Sequence, residues 1–131
     1  MILLDTHVVL ILISNPKQLS KAATRAMRKA EAADGVAIAS ITLWEIALLI
    51  YDRRVVLEGS TESILRQIAG RPDLSVLELT PEIAALAYQF PPDFPYDPAD
   101  RIIAATARAH GLPLVTKDRR MQESRLLRTI W

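Results

Sequence analysis

The sequence predicts an α/β protein, an α/β/α sandwich with a mainly parallel sheet of four or five strands in one domain spanning residues 1–131. Short, fully apolar runs alternate along the chain with longer segments of helical periodicity, which is typical of strand–helix–strand units. The 131 residues are 50% hydrophobic, enough for one packed core but not for two. No internal repeat, low-complexity tract or linker divides the chain.

The N-terminal part begins with a predicted strand at residues 1–4, which are short, apolar and suited to a strand buried on both faces. A helical stretch follows until Asn15-Pro16 breaks it. Ser20 then begins an amphipathic helix with small apolar residues on one side and basic residues between them. This helix is expected to end near Asp34-Gly35.

The middle of the chain has its second strand at residues 36–39, followed by Ser40 as a candidate N-cap for a helix from residue 41 to about residue 51. The pattern is weaker from residue 52 to residue 72, where Ser60 or Thr61 would cap a short helix. Residues 75–79 are the predicted third strand.

The C-terminal part begins with Thr80-Pro81, a cap and first-position proline that start a helix through residue 88. Four prolines from Pro91 to Pro98 indicate an extended loop. Asp97-Pro98 starts the next helix, which ends at Gly111. Residues 114–116 are the fourth strand, Asp118 heads a short helix, and residues 126–130 are the candidate fifth strand.

Composition excludes several classes of protein. The 16 basic and 15 acidic side chains nearly cancel, so the chain is neither a disordered acidic tail nor a strongly basic nucleic-acid binder. Without cysteine there is no disulfide, thiolate metal site or cysteine nucleophile. The longest apolar run, residues 8–13, is far shorter than the ~20 residues that span a bilayer. The N-terminus is not predicted to be a signal peptide, because Asp5 and His7 interrupt its apolar stretch. We therefore expect a cytoplasmic globular protein.

Acidic residues at strand ends are the first candidates for a functional site, because ligands of open α/β sheets bind beyond the carboxyl ends of the strands. Asp5 and Asp118 hold such positions, although helix capping alone would also explain them. Asp97 is a natural cap for the helix that starts at Pro98, and Asp100 could complete a capping box with it. The shorter aspartate side chain fits that second role poorly.

Glu45 is harder to explain as a structural residue. Its neighbours one turn away are Ile41, Leu48 and Leu49, with only Thr42 polar, so a carboxylate emerges from a face that otherwise suits the core. A buried carboxylate without a partner is costly, and a salt bridge to an arginine is the structural alternative.

These acids together suggest a metal site. If Asp5, Glu45, Asp100 and Asp118 converge, each pair at about 5 Å would repel by roughly 3 kcal/mol at an effective dielectric constant near 20. Such a cluster requires cations. A donor set made only of oxygens favours Mg²⁺ or Mn²⁺ over Zn²⁺, and such ions activate water in phosphodiester hydrolysis.

The chain also resembles PIN-domain proteins, and in particular VapC-type toxin ribonucleases. The similarity is found in residues 3–7 (LLDTH), 40–47 (SITLWEIA), 97–107 (DPADRIIAATA), 115–118 (VTKD) and 129–131 (TIW). These segments cover essentially the whole chain in order.

The resemblance implies a fold, a reaction and partners. It implies a ribonuclease that uses Mg²⁺ or Mn²⁺ and acts on single-stranded or looped RNA. It also implies a VapB-type antitoxin that blocks the pocket, and a homodimer. Asp5, Glu45, Asp100 and Asp118 match the four acidic positions of the family, as catalytic residues and metal ligands. The matching supporting positions are Thr6, Asp97, Arg101 and Thr116.

Two segments depart from the family pattern. Pro95 stands where many relatives have histidine, and residues 51–54 replace a Lys-x-Gly-Arg-like stretch. Neither departure removes an acid, so both concern the rim of the substrate site.

Other residues give weaker indications. His7 and His110 lack partners at metal or triad spacing and are expected to be capping or surface residues, and Trp44 and Trp131 core or subunit-contact residues. The few aromatic residues are scattered and predict no stacking platform for bases. RNA contacts would then come from basic residues near the last acid, namely Lys117, Arg119 and Arg120, with Arg125 and Arg128 further along. The basic face of the helix that Ser20 begins is the second candidate surface.

Two alternatives remain open. One is a phosphatase similar to haloacid dehalogenases with Asp5 as nucleophile, although the second aspartate of those proteins is replaced here by His7. The other is a non-catalytic partner-binding domain whose acids hold Mg²⁺, which leaves Glu45 unexplained.

Overall fold

The computed structural model describes all 131 residues, Met1 to Trp131. It contains one sheet of five strands, all parallel, in the order β3-β2-β1-β4-β5. The strands are β1 (Ile2–Leu4), β2 (Val36–Ala39), β3 (Leu74–Leu77), β4 (Leu114–Val115) and β5 (Thr129–Ile130). This confirms the predicted α/β class and the fifth strand.

Seven α-helices flank this sheet. They are α1 (Thr6–Ser14), α2 (Lys21–Glu31), α3 (Ser40–Tyr51), α4 (Thr61–Ala69), α5 (Pro81–Leu86), α6 (Pro98–His110) and α7 (Arg119–Gln122), with a 3₁₀ turn at Pro16–Gln18. None of the helices is long and apolar enough to cross a membrane.

The core lies on both faces of the sheet. Because successive side chains of a strand point to opposite faces, Ile2 and Leu4 of β1 pack in one apolar cluster and Leu3 packs in the other. The first cluster includes residues of α1, α2, α3 and α4, and the second includes residues of α5 and α6 together with Met121 of α7. The sheet is therefore covered on both sides, as its short apolar strands require.

Three predicted helix starts are confirmed by their caps. The hydroxyl of Ser20 accepts a hydrogen bond from the Ala23 amide, that of Ser60 from Ser63, and that of Thr80 from Ile83, at 3.0, 3.1 and 3.2 Å. Each hydroxyl satisfies an amide that has no partner within its own helix.

The predicted N-cap at Ser40 is wrong. Strand β2 runs directly into α3, so Ala39 has the cap position and Ser40 is already helical. The Ser40 hydroxyl instead accepts a hydrogen bond of 3.2 Å from the Leu79 amide, in the segment that follows β3. The hydroxyl therefore links the segment that follows β2 to the segment that follows β3, at the carboxyl edge of the sheet.

Some predicted ends are also too late. Helix α2 ends at Glu31, before a turn that leads to Gly35 at φ +82°, and α5 ends at Leu86. Strand β3 ends at Leu77, where its pairing with Ala39 ends. After α2 and α5 the backbone continues in hydrogen-bonded turns, such as those from the Ala33 amide to the Ala30 carbonyl and from the Tyr88 amide to the Ala85 carbonyl.

Strand β1 lies at the topological switch point of the sheet, where the strand order reverses. Its neighbours are β2 on one side and β4 on the other. Chain segments leaving β1 and β4 therefore diverge and open a crevice at the carboxyl edge, the usual place for a ligand in such sheets. Asp5 follows β1 directly, and Asp118 follows β4.

Candidate functional site

Asp5 caps a helix and also faces the crevice. It is 3% exposed. One carboxylate oxygen accepts a hydrogen bond of 2.7 Å from the Thr6 amide at the start of α1, and the other accepts one of 2.8 Å from the Thr116 hydroxyl. Capping and a functional role are thus not alternatives, because the two oxygens have different partners.

Asp118 has one carboxylate oxygen engaged in capping. Its Oδ1 accepts hydrogen bonds from the amides of Arg120 and Met121 at 2.8 and 3.3 Å, which starts α7, whereas Oδ2 accepts none. Its own amide donates to Thr116 Oγ1 at 3.0 Å. The fully buried Thr116 hydroxyl therefore connects the backbone of Asp118 with the carboxylate of Asp5.

Helix α6 supplies two further acids. Asp97 Oδ1 caps the helix by accepting hydrogen bonds from the amides of Ala99 and Asp100 at 2.9 and 3.2 Å. The Asp100 side chain makes no hydrogen bond back to Asp97, so the capping-box interpretation of Asp100 is wrong. Asp100 lies one turn inside the helix and lines the crevice together with Asp5 and Asp118.

Glu45 approaches the same group of acidic side chains from α3. Its Oε1 atom is buried and has no hydrogen-bond partner. The neighbouring Thr42 is fully buried and accepts a hydrogen bond of 3.3 Å from the Thr6 hydroxyl, which joins the start of α1 to α3. Leu48, which the sequence placed on the core face with Glu45, is instead 39% exposed. Glu45 thus lies at the border of the buried face, towards the acids.

The carboxylates form one cluster. Oxygens of Glu45, Asp97 and Asp100 all lie within 4.8 Å of one another. Asp5, Asp100 and Asp118 line an open cavity of about 440 Å³, with His7, Leu10, Ile11, Ser14, Gln18 and Lys117 on its other sides. The structure therefore brings together the four acids selected from sequence and adds Asp97.

The electrostatics of the cluster are unfavourable for ionised carboxylates. Burial raises the pKa of Asp100 to about 7, and the charges of Asp5, Asp97, Glu45 and Asp118 act in the same direction. Burial is also the main cause of a raised pKa at Asp5, which the Thr116 hydrogen bond partly opposes. The pKa of Glu45 is raised by burial too, with the nearby Thr6 hydroxyl opposing it.

No basic side chain forms an ion pair with these acids, although the nearby His7 acts to lower the pKa of Asp5 and Glu45. The three ion pairs in the structure join the N-terminus to Asp34, Arg66 to Glu62, and Arg71 to Asp73, all outside the cluster. A cluster of oxygen donors with free carboxylate atoms fits a hard divalent cation, which would supply the missing positive charge.

The PIN domain family profile matches residues 2–125 of the chain. The chain belongs to the PIN domain family. It is 42% identical over 132 residues to Ribonuclease VapC22 of Mycobacterium tuberculosis, covering 99% of this chain and 98% of that protein.

Solved structures agree with this assignment. A DNA-bound VapBC from Salmonella typhimurium contains a chain that is 26% identical, with a TM-score of 0.69 over 98% of this chain and 97% of that one. The VapBC2 complex of Rickettsia felis, bound to a promoter fragment, gives a TM-score of 0.72 at 17% identity, covering 98% and 97% of the two chains, and shows the common fold.

The basic residues predicted to contact RNA are divided in this PIN domain. Lys117 lines the acidic cavity, whereas Arg120 and Arg125 line a second cavity beside Phe94. Arg119 is exposed at the start of α7. Arg128 lines a third cavity, where it donates a hydrogen bond of 2.6 Å to the Gly111 carbonyl.

The remaining predicted residues have mixed outcomes. His7 and His110 are exposed, as expected for surface residues. Trp131 packs against the first core cluster, but Trp44 is 57% exposed and is not a core residue. Arg101 is 8% exposed and forms no ion pair, because its guanidinium donates to the Ala87 carbonyl at 3.3 Å.

Sequence reasoning missed two features of the site. Asp97 was assigned to capping and, through the resemblance, to a supporting position, and only the three-dimensional structure places a carboxylate oxygen of Asp97 within 4.8 Å of those of Glu45 and Asp100. The aromatic residues are not all scattered, since Phe94 and Tyr96 both lie against Arg101. The signal available in the sequence was the position of Tyr96 directly before Asp97-Pro98.

Proposed function

We propose that this PIN domain is the toxin of a type II toxin–antitoxin pair and a metal-dependent endoribonuclease that hydrolyses RNA phosphodiester bonds. The observation behind this proposal is the group of five carboxylates at the carboxyl edge of the sheet, none of which forms an ion pair with a basic side chain. The 42% identity to a protein named as a VapC ribonuclease supports the reaction class.

The acids that would hold Mg²⁺ or Mn²⁺ are Asp5, Asp100 and Asp118, with Glu45 completing the set directly or through a water. Asp97 offers a further oxygen within 4.8 Å of those of Glu45 and Asp100. A bound divalent ion would polarise the phosphate, lower the pKa of the attacking water and stabilise the leaving oxygen.

The side chains of the protein have defined tasks in this reaction. Thr116 holds the carboxylate of Asp5 and the backbone of Asp118 in a fixed relation. The buried Oε1 of Glu45 has no partner in the protein and is free to accept a hydrogen bond from the attacking water. Attack on phosphorus with departure of the 3′ oxygen gives a 3′-hydroxyl and a 5′-phosphate.

The antitoxin would be a VapB-type protein that occupies the acidic cavity. Leu10 and Ile11 of α1 add apolar lining to this cavity beside the acids. A peptide with a basic side chain among apolar ones suits such a surface, because the base would neutralise the acids and exclude the metal and the RNA.

A homodimer would use the outer face of α3. Trp44, Leu48 and Tyr51 are spaced by four and three residues, so they form one stripe, and they are 57%, 39% and 83% exposed. Sedimentation velocity tests this part: replacing Trp44 and Leu48 by serine is expected to give monomers, and a wild type that is itself monomeric would refute the dimer.

The test of the reaction is cleavage of single-stranded RNA by the wild type with Mg²⁺ or Mn²⁺, with EDTA, and by Asp5→Asn. We expect cleavage only by the wild type with metal, and normal cleavage by the control Glu58→Gln, which changes an exposed acid between α3 and α4. Equal activity of the wild type and Asp5→Asn would refute the proposal.

The same assays distinguish the alternatives. Metal binding without turnover on any RNA would indicate a non-catalytic partner-binding domain. A phosphorylated Asp5 trapped with a phosphate ester would indicate a phosphatase, but the position two residues on is the exposed His7 and not a second acid.

A further inference from the structure

Tyr96 is an exposed aromatic residue at the edge of the acid cluster. Its side chain is 86% exposed. It directly precedes Asp97, whose oxygens lie within 4.8 Å of those of Glu45 and Asp100. Consecutive Cα atoms are about 3.8 Å apart, so the backbone of Tyr96 lies directly beside that of Asp97.

A buried arginine supports this ring. The guanidinium carbon of Arg101 lies 5.8 Å from the centre of the Tyr96 ring and 5.9 Å from that of Phe94, both within cation–π range. Arg101 is 8% exposed and is anchored by its hydrogen bond to the Ala87 carbonyl. Tyr96 therefore contacts Arg101 on one side of its ring, while most of its surface faces solvent.

The support extends further into the protein. Phe94 is 5% exposed and stacks on Phe90, with ring centres 4.1 Å apart and planes inclined by 21°. Phe94 also lies against Arg101, which in turn lies against Tyr96. A ring ordered in advance loses little conformational entropy when a ligand stacks on it.

We propose that Tyr96 is a stacking platform for a base of single-stranded RNA that flanks the scissile phosphate. This inference rests on the proposed ribonuclease function and adds a positioning residue to it. Base stacking on an aromatic ring contributes about 1–3 kcal/mol and does not depend on the identity of the base. Tyr96 thus favours an unpaired strand, because a base within a duplex has no free face.

The structure favours this role over simple packing of the ring on Arg101. At 86% exposure the ring buries little apolar area, so it contributes little to stability. Tyr88 is a matched comparison: it is 78% exposed, but no guanidinium lies against its ring and no acid of the cluster adjoins it.

The experiment compares two RNA strands. The cleavage site is first mapped on a mixed-sequence single-stranded RNA, and the same strand is then made with an abasic nucleotide on either side of that site. For the wild type we expect kcat/KM to fall by about 5- to 150-fold on one abasic strand, the equivalent of one stacked base.

The variants then assign this loss to the ring. Tyr96→Ala is expected to show the same loss on the intact strand, mainly in KM, and no further loss on the abasic strand. Tyr96→Phe and Tyr96→Trp should retain activity, Tyr96→Leu should not, and Tyr88→Ala should behave as wild type. Equal cleavage of the intact strand by Tyr96→Ala and the wild type would overturn the inference. An equal loss of activity by Tyr96→Ala, relative to the wild type, on the intact and the abasic strand would also overturn it.

A binding measurement separates this inference from the proposed function. The fluorescence of 2-aminopurine in single-stranded RNA is quenched when the base stacks, and the measurement needs no cleavage. Quenching by the wild type but not by Tyr96→Ala would support the platform even if no RNA is cut. Equal quenching by both proteins would overturn it, whatever the outcome of the cleavage assay.

Discussion

Asp73 and Asp100 show how the protein treats acids at the two edges of its sheet. Asp73 precedes β3 at the amino edge, where Arg71 donates two hydrogen bonds to its carboxylate, at 3.2 and 2.7 Å, and lowers its pKa. Asp100 lies at the carboxyl edge without a basic partner, and its pKa is raised to about 7. The difference supports the proposal that charge at the carboxyl edge is left for a ligand to neutralise.

The arginines show the same contrast. Arg71 is an exposed partner of an acid, whereas Arg101 is buried beside the acid-bearing turn of α6 and is directed to aromatic rings and a carbonyl. A guanidinium that follows Asp100 directly in the chain but pairs with none of the acids keeps their oxygens available. The following predictions test this comparison.

The largest expected effect is on catalysis. Asp100→Asn should reduce RNA cleavage by at least about 100-fold, because even residues that only orient metal ligands contribute 10- to 100-fold. Asp73→Asn should leave cleavage unchanged. Initial rates at saturating Mg²⁺ measure both, and a similar loss in both variants would mean that the edges do not differ in function.

The arginines are expected to differ in stability. Arg101→Ala should lower the free energy of unfolding by about 2–4 kcal/mol, because it removes two cation–π contacts and a buried hydrogen bond and leaves a cavity. Arg71→Ala, which removes an exposed pair, should cost at most about 1 kcal/mol. Urea unfolding gives both values, and equal costs would contradict the structural role of Arg101.

The same two aspartates should respond with opposite signs when stability is measured without metal. At about pH 8, Asp100→Asn removes a carboxylate that is repelled by its neighbours and should raise the free energy of unfolding by roughly 1–2 kcal/mol. Asp73→Asn removes a favourable exposed pair and should lower it by at most about 1 kcal/mol. Destabilisation by Asp100→Asn would show that its charge is compensated inside the protein.

The smallest effect is on the pH dependence of stability. The raised pKa of Asp100 means that the folded protein binds more protons than the unfolded chain between about pH 4 and pH 7. Its destabilising effect is therefore absent below about pH 4 and complete above about pH 7. Metal-free wild type should lose stability more steeply across this range than Asp100→Asn, as thermal unfolding would show, and parallel profiles would contradict the raised pKa.

Much of the fold could be predicted because its signals are local. The apolar run before Asp5 and the cap at Ser20 define their elements without information from the rest of the chain. Ser40 shows the limit: the cap signal was present, but β2 leads straight into α3 and the hydroxyl binds the Leu79 amide, a partner 39 residues away. Such a choice depends on the packing of distant segments.

The candidate site was predictable to a similar extent. Asp5 and Asp118 follow from the rule for strand ends, and Glu45 from an apolar helix face. Asp97 could not be distinguished from a simple cap, because one of its oxygens does cap α6. The ring of Tyr96 beside Arg101 depends on a turn whose geometry the sequence does not indicate.

The most direct test of the central claim is a calorimetric titration of the metal-free protein with Mn²⁺ at about pH 8, above the pKa of about 7 of Asp100. We predict saturable binding by the wild type and by Asp73→Asn, with binding by Asp100→Asn weakened by at least about 10-fold. Absence of binding to the wild type, or equal affinity of the wild type and Asp100→Asn, would contradict the claim that the carboxyl-edge acids await a cation.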